Sequence, residues 1–161
     1  MEINQLKQKF IELYGGSEQD IRVFSAAGRV NLIGEHIDYC GGKVFPAALN
    51  LRTVVLARKN NENVIRLAAT TVKQREELNL STLDAYKGLK WGDYQAGVAY
   101  VMQNEGYKIV GADTLYDTTV PFASGLSSSA SIEVATAMML ATFSAEEGVK
   151  SVDRVELAVL S

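Results

Sequence analysis

Apolar positions recur at helical spacing at the start of the chain. Ile3, Leu6, Phe10, Leu13 and Tyr14 fall on one face, which predicts a helix over 3–14 ended by Gly15-Gly16. Residues 21–26 read as a strand, followed by a glycine-punctuated stretch over 28–42. Residues 53–57 are β-branched and apolar, as in a buried strand. Asn60-Asn61-Glu62-Asn63 marks a turn into a strand over 64–69, and 77–80 supply a further short strand. Helical spacing returns over 93–103, with Val98, Tyr100, Val101 and Met102 among its apolar positions. A strand over 114–120 leads to a long helix over 127–143, with Ala130, Val134, Ala137, Met138 and Ala141 on one face. Ser151 is the expected N-cap of a last helix. Strands and helices mix without strict alternation, so the predicted class is α+β.

The last helix shows no stop signal, since 156–161 carry no glycine, proline or basic last turn. The pattern is that of a truncated protein, with one domain over 1–161. Composition narrows the classes. Of 161 residues, 47% are apolar and 22% charged, which fits a globular core and excludes disorder. A net charge of −3 argues against nucleic acid as a partner. Cys40 is the only cysteine and His36 the only histidine, which excludes a disulfide framework and a multi-Cys or paired-His metal site. The most apolar window, 134–143, is far short of the roughly 20 residues of a membrane span, and the N-terminus lacks the apolar core of a signal peptide. The expected location is cytoplasmic, with no membrane partner.

Two segments carry candidate chemistry. The first is Val120-Pro121-Phe122-Ala123-Ser124-Gly125-Leu126-Ser127-Ser128-Ser129-Ala130. It is small and hydroxyl-rich, and it opens a helix. Free N–H groups and the positive end of the helix dipole suit an anion, above all phosphate. Small side chains let backbone approach the ligand, and serine hydroxyls can donate to it or bind Mg²⁺. No lysine follows Gly125, so this is not a Walker A loop. A serine-capped helix without a ligand uses the same residues.

The second segment is Gly28-Arg29-Val30-Asn31-Leu32-Ile33-Gly34-Glu35-His36-Ile37-Asp38-Tyr39. Glu35, His36 and Asp38 suit a polyol, whose hydroxyls both donate and accept, and Arg29 suits a transferring phosphoryl group. A salt-bridged loop pairing Arg29 with Glu35 or Asp38 is the plainer alternative. A sugar kinase needs both a phosphate cradle and a polyol site. Trp91 and Tyr94, three apart near a helix start, could present rings to an adenine, or be core aromatics.

Taken together, these residues resemble a known family. Residues 28–36, with Asp38-Tyr39 and Gly41-Gly42, are similar to the galactokinase signature. Residues 121–130 resemble the ATP loop of the GHMP kinases, and Trp91-Gly92-Asp93-Tyr94 with Gly97-Val98 resembles the galactokinase segment between them. The resemblance implies a GHMP-kinase N-terminal domain of the ribosomal S5 domain-2-like fold, with the C-terminal domain absent. The implied form is a mixed or antiparallel sheet with helices on one side. It also implies roles. Glu35, His36 and Asp38 would hold galactose hydroxyls, and Arg29 would position the C1 hydroxyl and stabilise the transferring phosphoryl. Ala123, Ser124, Gly125, Leu126, Ser127, Ser128 and Ser129 would form the ATP loop, with Ser129 helping to bind Mg²⁺, and Trp91 and Tyr94 would border adenine. The implied reaction is phosphorylation of galactose at C1 by MgATP.

The chain departs from the family pattern at Ala27, Ile37, Cys40, Ala123 and Ser124. The family's Gly-x-Met-Asp-Gln segment, with its catalytic aspartate, does not occur in it, nor does the glutamate that precedes that segment as a second Mg²⁺ ligand. The 161 residues alone are therefore expected to be inactive, and apolar surface left by the missing half could drive self-association. The alternatives are a related sugar kinase acting on N-acetylgalactosamine, and a non-catalytic galactose- or ATP-binding regulatory module. Neither Asp38 nor Asp117 is assigned the missing role, and Glu133, one turn past Ser129, is a further candidate for Mg²⁺.

Overall fold

The computed structural model describes residues 1–34, 40–85, 88–122 and 124–160. Five strands form one mixed sheet: β1 Arg22–Ile33, β2 Phe45–Lys59, β3 Val64–Ala69, β4 Glu76–Asn79 and β5 Ala112–Thr118. Their spatial order is β1-β2-β5-β3-β4. Three neighbouring pairs are antiparallel, and β3 runs parallel to β5. The helices are α1 Ile3–Tyr14, α2 Asp93–Asn104, α3 Ser128–Glu146 and α4 Arg154–Leu160. Among the described residues no helix is long and apolar enough to cross a membrane.

The two-residue period of the strands sorts apolar side chains to opposite faces. On one face Phe24, Val55, Ala57, Leu67 and Tyr116 pack with α2, α3 and α4. On the other, Leu56, Ala68 and Leu115 pack with Leu6 and Phe10 of α1 and with Ile21. Helices therefore cover both faces rather than one. The cause is legible in β2 and β5, where consecutive apolar residues (Val55-Leu56-Ala57 and Leu115-Tyr116) make both sides of the sheet sticky. One amphipathic helix, α1, closes the second side. A capping box begins it, with Glu2 N–H donating to Gln5 Oε1 at 3.3 Å, and Gly15 ends it at a φ of 70°.

Two strands are longer than the periodicity predicts. β1 does not stop at Ala26 but continues into the glycine-rich stretch, and β2 begins at Phe45. The β1–β2 register shifts between Ala27 and Arg29, so Gly28 sits at an irregularity rather than at a strand end. The cap of α4 also differs. Asp153, not Ser151, accepts the N–H groups of Val155 and Glu156, at 2.8 and 3.2 Å.

α3 is the central helix. Its small residues Ala135, Ala137 and Ala141 are fully buried and let it lie close to sheet and neighbours. Phe143 near its end is 2% exposed and meets Phe24 of β1 edge to face, with ring centroids 6.0 Å apart. Truncating that ring opens a cavity where helix meets sheet. Phe143→Ala is expected to lower unfolding free energy by about 3–5 kcal/mol, read as a shift of the urea midpoint. A loss below about 1 kcal/mol would mean that α3 is not anchored there.

Candidate functional site

The N-terminus of α3 opens into solvent beside β1. The first intrahelical bond is Ser131 N–H to Ser127 carbonyl, at 3.0 Å. The N–H groups of Ser128, Ser129 and Ala130 thus have no acceptor within the helix. Ser127 occupies the N-cap with φ 60° and ψ 46°, and its side chain makes no capping bond. The serine-capped helix weighed from sequence is therefore not what forms. Ser128 Oγ is buried and has no hydrogen-bond partner. A cleft of about 510 Å³ lies over these groups, lined by Tyr94, Phe122, Ser124, Gly125, Ser127, Ser128, Ser129 and Ile132. Free donors, a helix dipole and an unsatisfied hydroxyl give it the chemistry of an anion cradle.

A smaller apolar pocket of about 130 Å³ adjoins the cleft and shares Tyr94, Phe122 and Ile132 with it. Trp91 and Gln95 complete the α2 side of this pocket, and Ala69, Val72 and Tyr116 the sheet side. Trp91 is fixed by its indole N–H, which donates to the Gln74 carbonyl at 3.1 Å. Tyr94 is half exposed, so it is not a core aromatic. Beneath the pocket Thr53 links three elements: its hydroxyl lies 2.7 Å from Ser131 Oγ and donates to Thr118 Oγ1 at 3.1 Å. Tyr116 is held by Thr136, and burial pushes its phenol well above the ordinary tyrosine range.

The structure thus brings Trp91, Tyr94, Ser124, Gly125, Ser127, Ser128 and Ser129 to two adjoining cavities that share part of their lining. Leu126 does not line it. Its carbonyl instead accepts the Arg29 N–H at 3.1 Å, which ties the serine loop to β1. Arg29 is exposed on that strand, opposite Ala48. Glu35, His36, Asp38 and Ala123 lie outside the described residues. Phe122 and Ile132 were not singled out from sequence, although the segment opening α3 contains the first. A signal was available in Phe122, a large apolar residue placed in an otherwise small-residue loop.

The carboxylates sort clearly. Asp117 receives the N-terminal ammonium at 2.8 Å and the Thr70 hydroxyl, so it is a structural group. Asp113 is buried among Arg66, Arg58 and Asn60, at 3.1–3.4 Å. Among the described residues no three His, Cys, Asp or Glu side chains cluster as a metal cage. Mg²⁺ does not need one, because it usually keeps waters and takes one or two protein oxygens together with substrate phosphates. The Ser129 hydroxyl lines the cleft and is an oxygen of that kind, whereas Glu133, four residues on along the helix, is not part of the cleft lining. Burial raises the Glu133 carboxyl above its ordinary range.

Comparison with known proteins agrees with this geometry. Residues 8–59 match the family profile described as galactokinase galactose-binding signature, and residues 93–161 match the GHMP kinases N terminal domain. The galactokinase of Clostridium tetani is 45% identical over the whole of this chain, and that of Bacillus subtilis is 36% identical over 98% of it. The chain spans about 40% of the length of both relatives. The structure of Lactococcus lactis galactokinase complexed with galactose superposes with a TM-score of 0.90 at 34% identity, over 98% of this chain and 40% of that one. Methanococcus jannaschii mevalonate kinase shares the fold, with a TM-score of 0.72 at 20% identity over 89% of this chain and 45% of that one. Residues 93–161 are thus similar to the N-terminal domain of the GHMP kinases. Over its whole length the chain resembles the part of the galactokinases that carries the galactose-binding signature and that domain.

Gly28 sets the distance between signature strand and serine loop. A Cβ there would lie 2.9 Å from the Leu126 carbonyl oxygen and 3.2–3.3 Å from the Val120 methyls. Gly28→Ala is expected to push the loop off β1, at a cost of about 1–3 kcal/mol. The Arg29 amide should lose protection in hydrogen exchange. Unchanged protection of that amide would show that the loop is held by something else.

Proposed function

We propose that this chain supplies the sugar signature and the nucleotide site of an ATP-dependent galactose kinase. The observation that carries the reading is the α3 N-terminus, whose N–H groups without a helical acceptor and orphaned Ser128 hydroxyl face a cleft that shares Tyr94, Phe122 and Ile132 with an aromatic pocket. A triphosphate suits the first and a planar base the second. Ser124, Gly125, Ser127, Ser128 and Ser129 cradle phosphates, while Trp91 and Tyr94 border the base. Glu35, His36 and Asp38 hold galactose hydroxyls, a reading supported by the galactose in the L. lactis relative. Arg29 stabilises charge on the transferring phosphoryl and orients the C1 hydroxyl. Ser129 takes part in holding Mg²⁺, which when bound neutralises phosphate charge. The setting is the cytoplasm, where MgATP is available.

Positioning and electrostatics dominate phosphoryl transfer. Neither Asp117 nor Asp113 is free to take the sugar proton, since both are committed to structural partners. Turnover at a normal rate thus requires the further length that the relatives possess. Leu32, Ile33 and Phe45 at one end of the β1–β2 pair, and Val155 and Val159 of α4, are exposed apolar residues. Through them the 161-residue chain self-associates. Sedimentation over a range of concentrations is expected to give a rising average mass, and a constant monomer mass would refute the association.

Ser127→Asp tests the nucleotide site without harming the helix. Aspartate is a favoured N-cap, tolerates left-handed backbone and complements the dipole. The melting temperature is expected to hold or rise. Affinity for MgATP, read by calorimetry, is expected to fall at least about tenfold, because a carboxylate now faces phosphate. Wild-type affinity in this variant would sink the phosphate assignment.

A further inference from the structure

Gln95 stands out in the pocket beside the cleft. It lies on α2, one residue past Tyr94, and is 3% exposed. Its Oε1 is buried with no hydrogen-bond partner, although the side chain forms part of the pocket wall. A buried amide left unpaired is unfavourable, and native interiors rarely tolerate one without a purpose. Around it the pocket is lined mainly by rings and aliphatic groups, chiefly Trp91, Tyr94, Phe122 and Ile132, with Thr53, Thr71 and Thr118 also in its wall. What would satisfy the amide is a flat heteroaromatic ligand that slides between the rings and carries a donor beside an acceptor on its edge.

A carboxamide is the side chain best matched to one such edge. Its oxygen accepts from the exocyclic amine of adenine while its nitrogen donates to N7, the pairing by which Asn and Gln read adenine elsewhere. A 6-oxopurine presents two acceptors along that same edge. One arm of the amide is then unmatched and remains buried without a partner. We propose that Gln95 is the base-selecting residue of this site, pairing with N6 and N7 of adenine and rejecting 6-oxopurine nucleotides. The inference rests on reading the serine cleft as the phosphate site, because the shared wall of Tyr94, Phe122 and Ile132 sets the base beside the phosphates.

The test is calorimetric titration of this chain with four probes: MgATP, MgITP, the 7-deaza analogue of MgATP, and inorganic triphosphate. MgITP replaces the amine by an oxygen and places a proton on N1, leaving N7 an acceptor, and the 7-deaza analogue replaces N7 by a C–H. Wild-type protein is expected to bind MgATP roughly 5- to 150-fold more tightly than MgITP. The 7-deaza analogue should fall between them. In Gln95→Met, which keeps the length of the side chain and removes both polar atoms, affinity for MgATP should drop until it equals that for MgITP. Affinity for inorganic triphosphate should not move. Equal binding of the three nucleotides by wild type overturns the proposal without any variant. An unchanged preference in Gln95→Met, or an equal loss for all four probes, overturns it as well. If inorganic triphosphate binds while the nucleotides are not distinguished, the phosphate cleft stands and only the base assignment falls. If no probe binds, both fall together.

Discussion

The Leu126 carbonyl accepts the Arg29 N–H at 3.1 Å, and the geometry of the site depends on that one backbone bond. It joins the strand that begins the sugar signature to the loop that begins α3. The approach is possible because Gly28 brings no Cβ into the gap and because the β1–β2 register is already irregular there. One residue with no side chain thus sets the spacing between two segments almost a hundred positions apart. On either side of the bond stand a guanidinium on β1 and, at the start of α3, N–H groups with no acceptor within the helix; under the proposed function these are the groups that phosphoryl transfer must align. Positioning is most of what this chemistry asks of a protein.

The energy for holding that alignment comes from elsewhere in the fold. A helix N-terminus facing an open cleft contributes little to stability, and Ser127 sits in left-handed backbone without a compensating side-chain cap. α3 tolerates this because nine residues spread along it, from Ser131 to Ser144, are buried against the sheet, α2 and α4. Phe143 closes one end against Phe24, and Ser131, bonded to Thr53, closes the other under the pocket. Burial of an all-round apolar helix therefore fixes where its polar tip points. The second face of the sheet, closed by α1, adds to the core without touching the site.

Much of this was legible in the residues. The α+β class and the helix opening at the serines follow from period and punctuation, while the sheet, expected as mixed or antiparallel, came with the family resemblance and is mixed. What escaped was set by tertiary contact. β1 runs past Ala26 because pairing with β2 overrides the breaking tendency of Gly28, and β2 starts early for the same reason. Helices on both faces follow from doubly apolar stretches in β2 and β5, which periodicity alone reads simply as buried strand. Leu126 looked like one more loop residue because a backbone carbonyl leaves no mark on the choice of side chain. Gln95 was invisible for a different reason: a glutamine on a helix is ordinary until burial strips it of water.

Three buried side-chain oxygens among the described residues lack a partner: Glu76 Oε1, Gln95 Oε1 and Ser128 Oγ. Two of the three line adjoining cavities, Gln95 the aromatic pocket and Ser128 the cradle. Folding alone does not account for this, because an apolar residue of similar size at either position would remove the desolvation cost. Under the proposed function a ligand accounts for it: a base edge answers the amide oxygen, an anion answers the hydroxyl and its neighbouring N–H groups, and a nucleotide carries both at once. On that reading the walls are matched to a ligand rather than to each other, a balance typical of sites where local stability yields to binding.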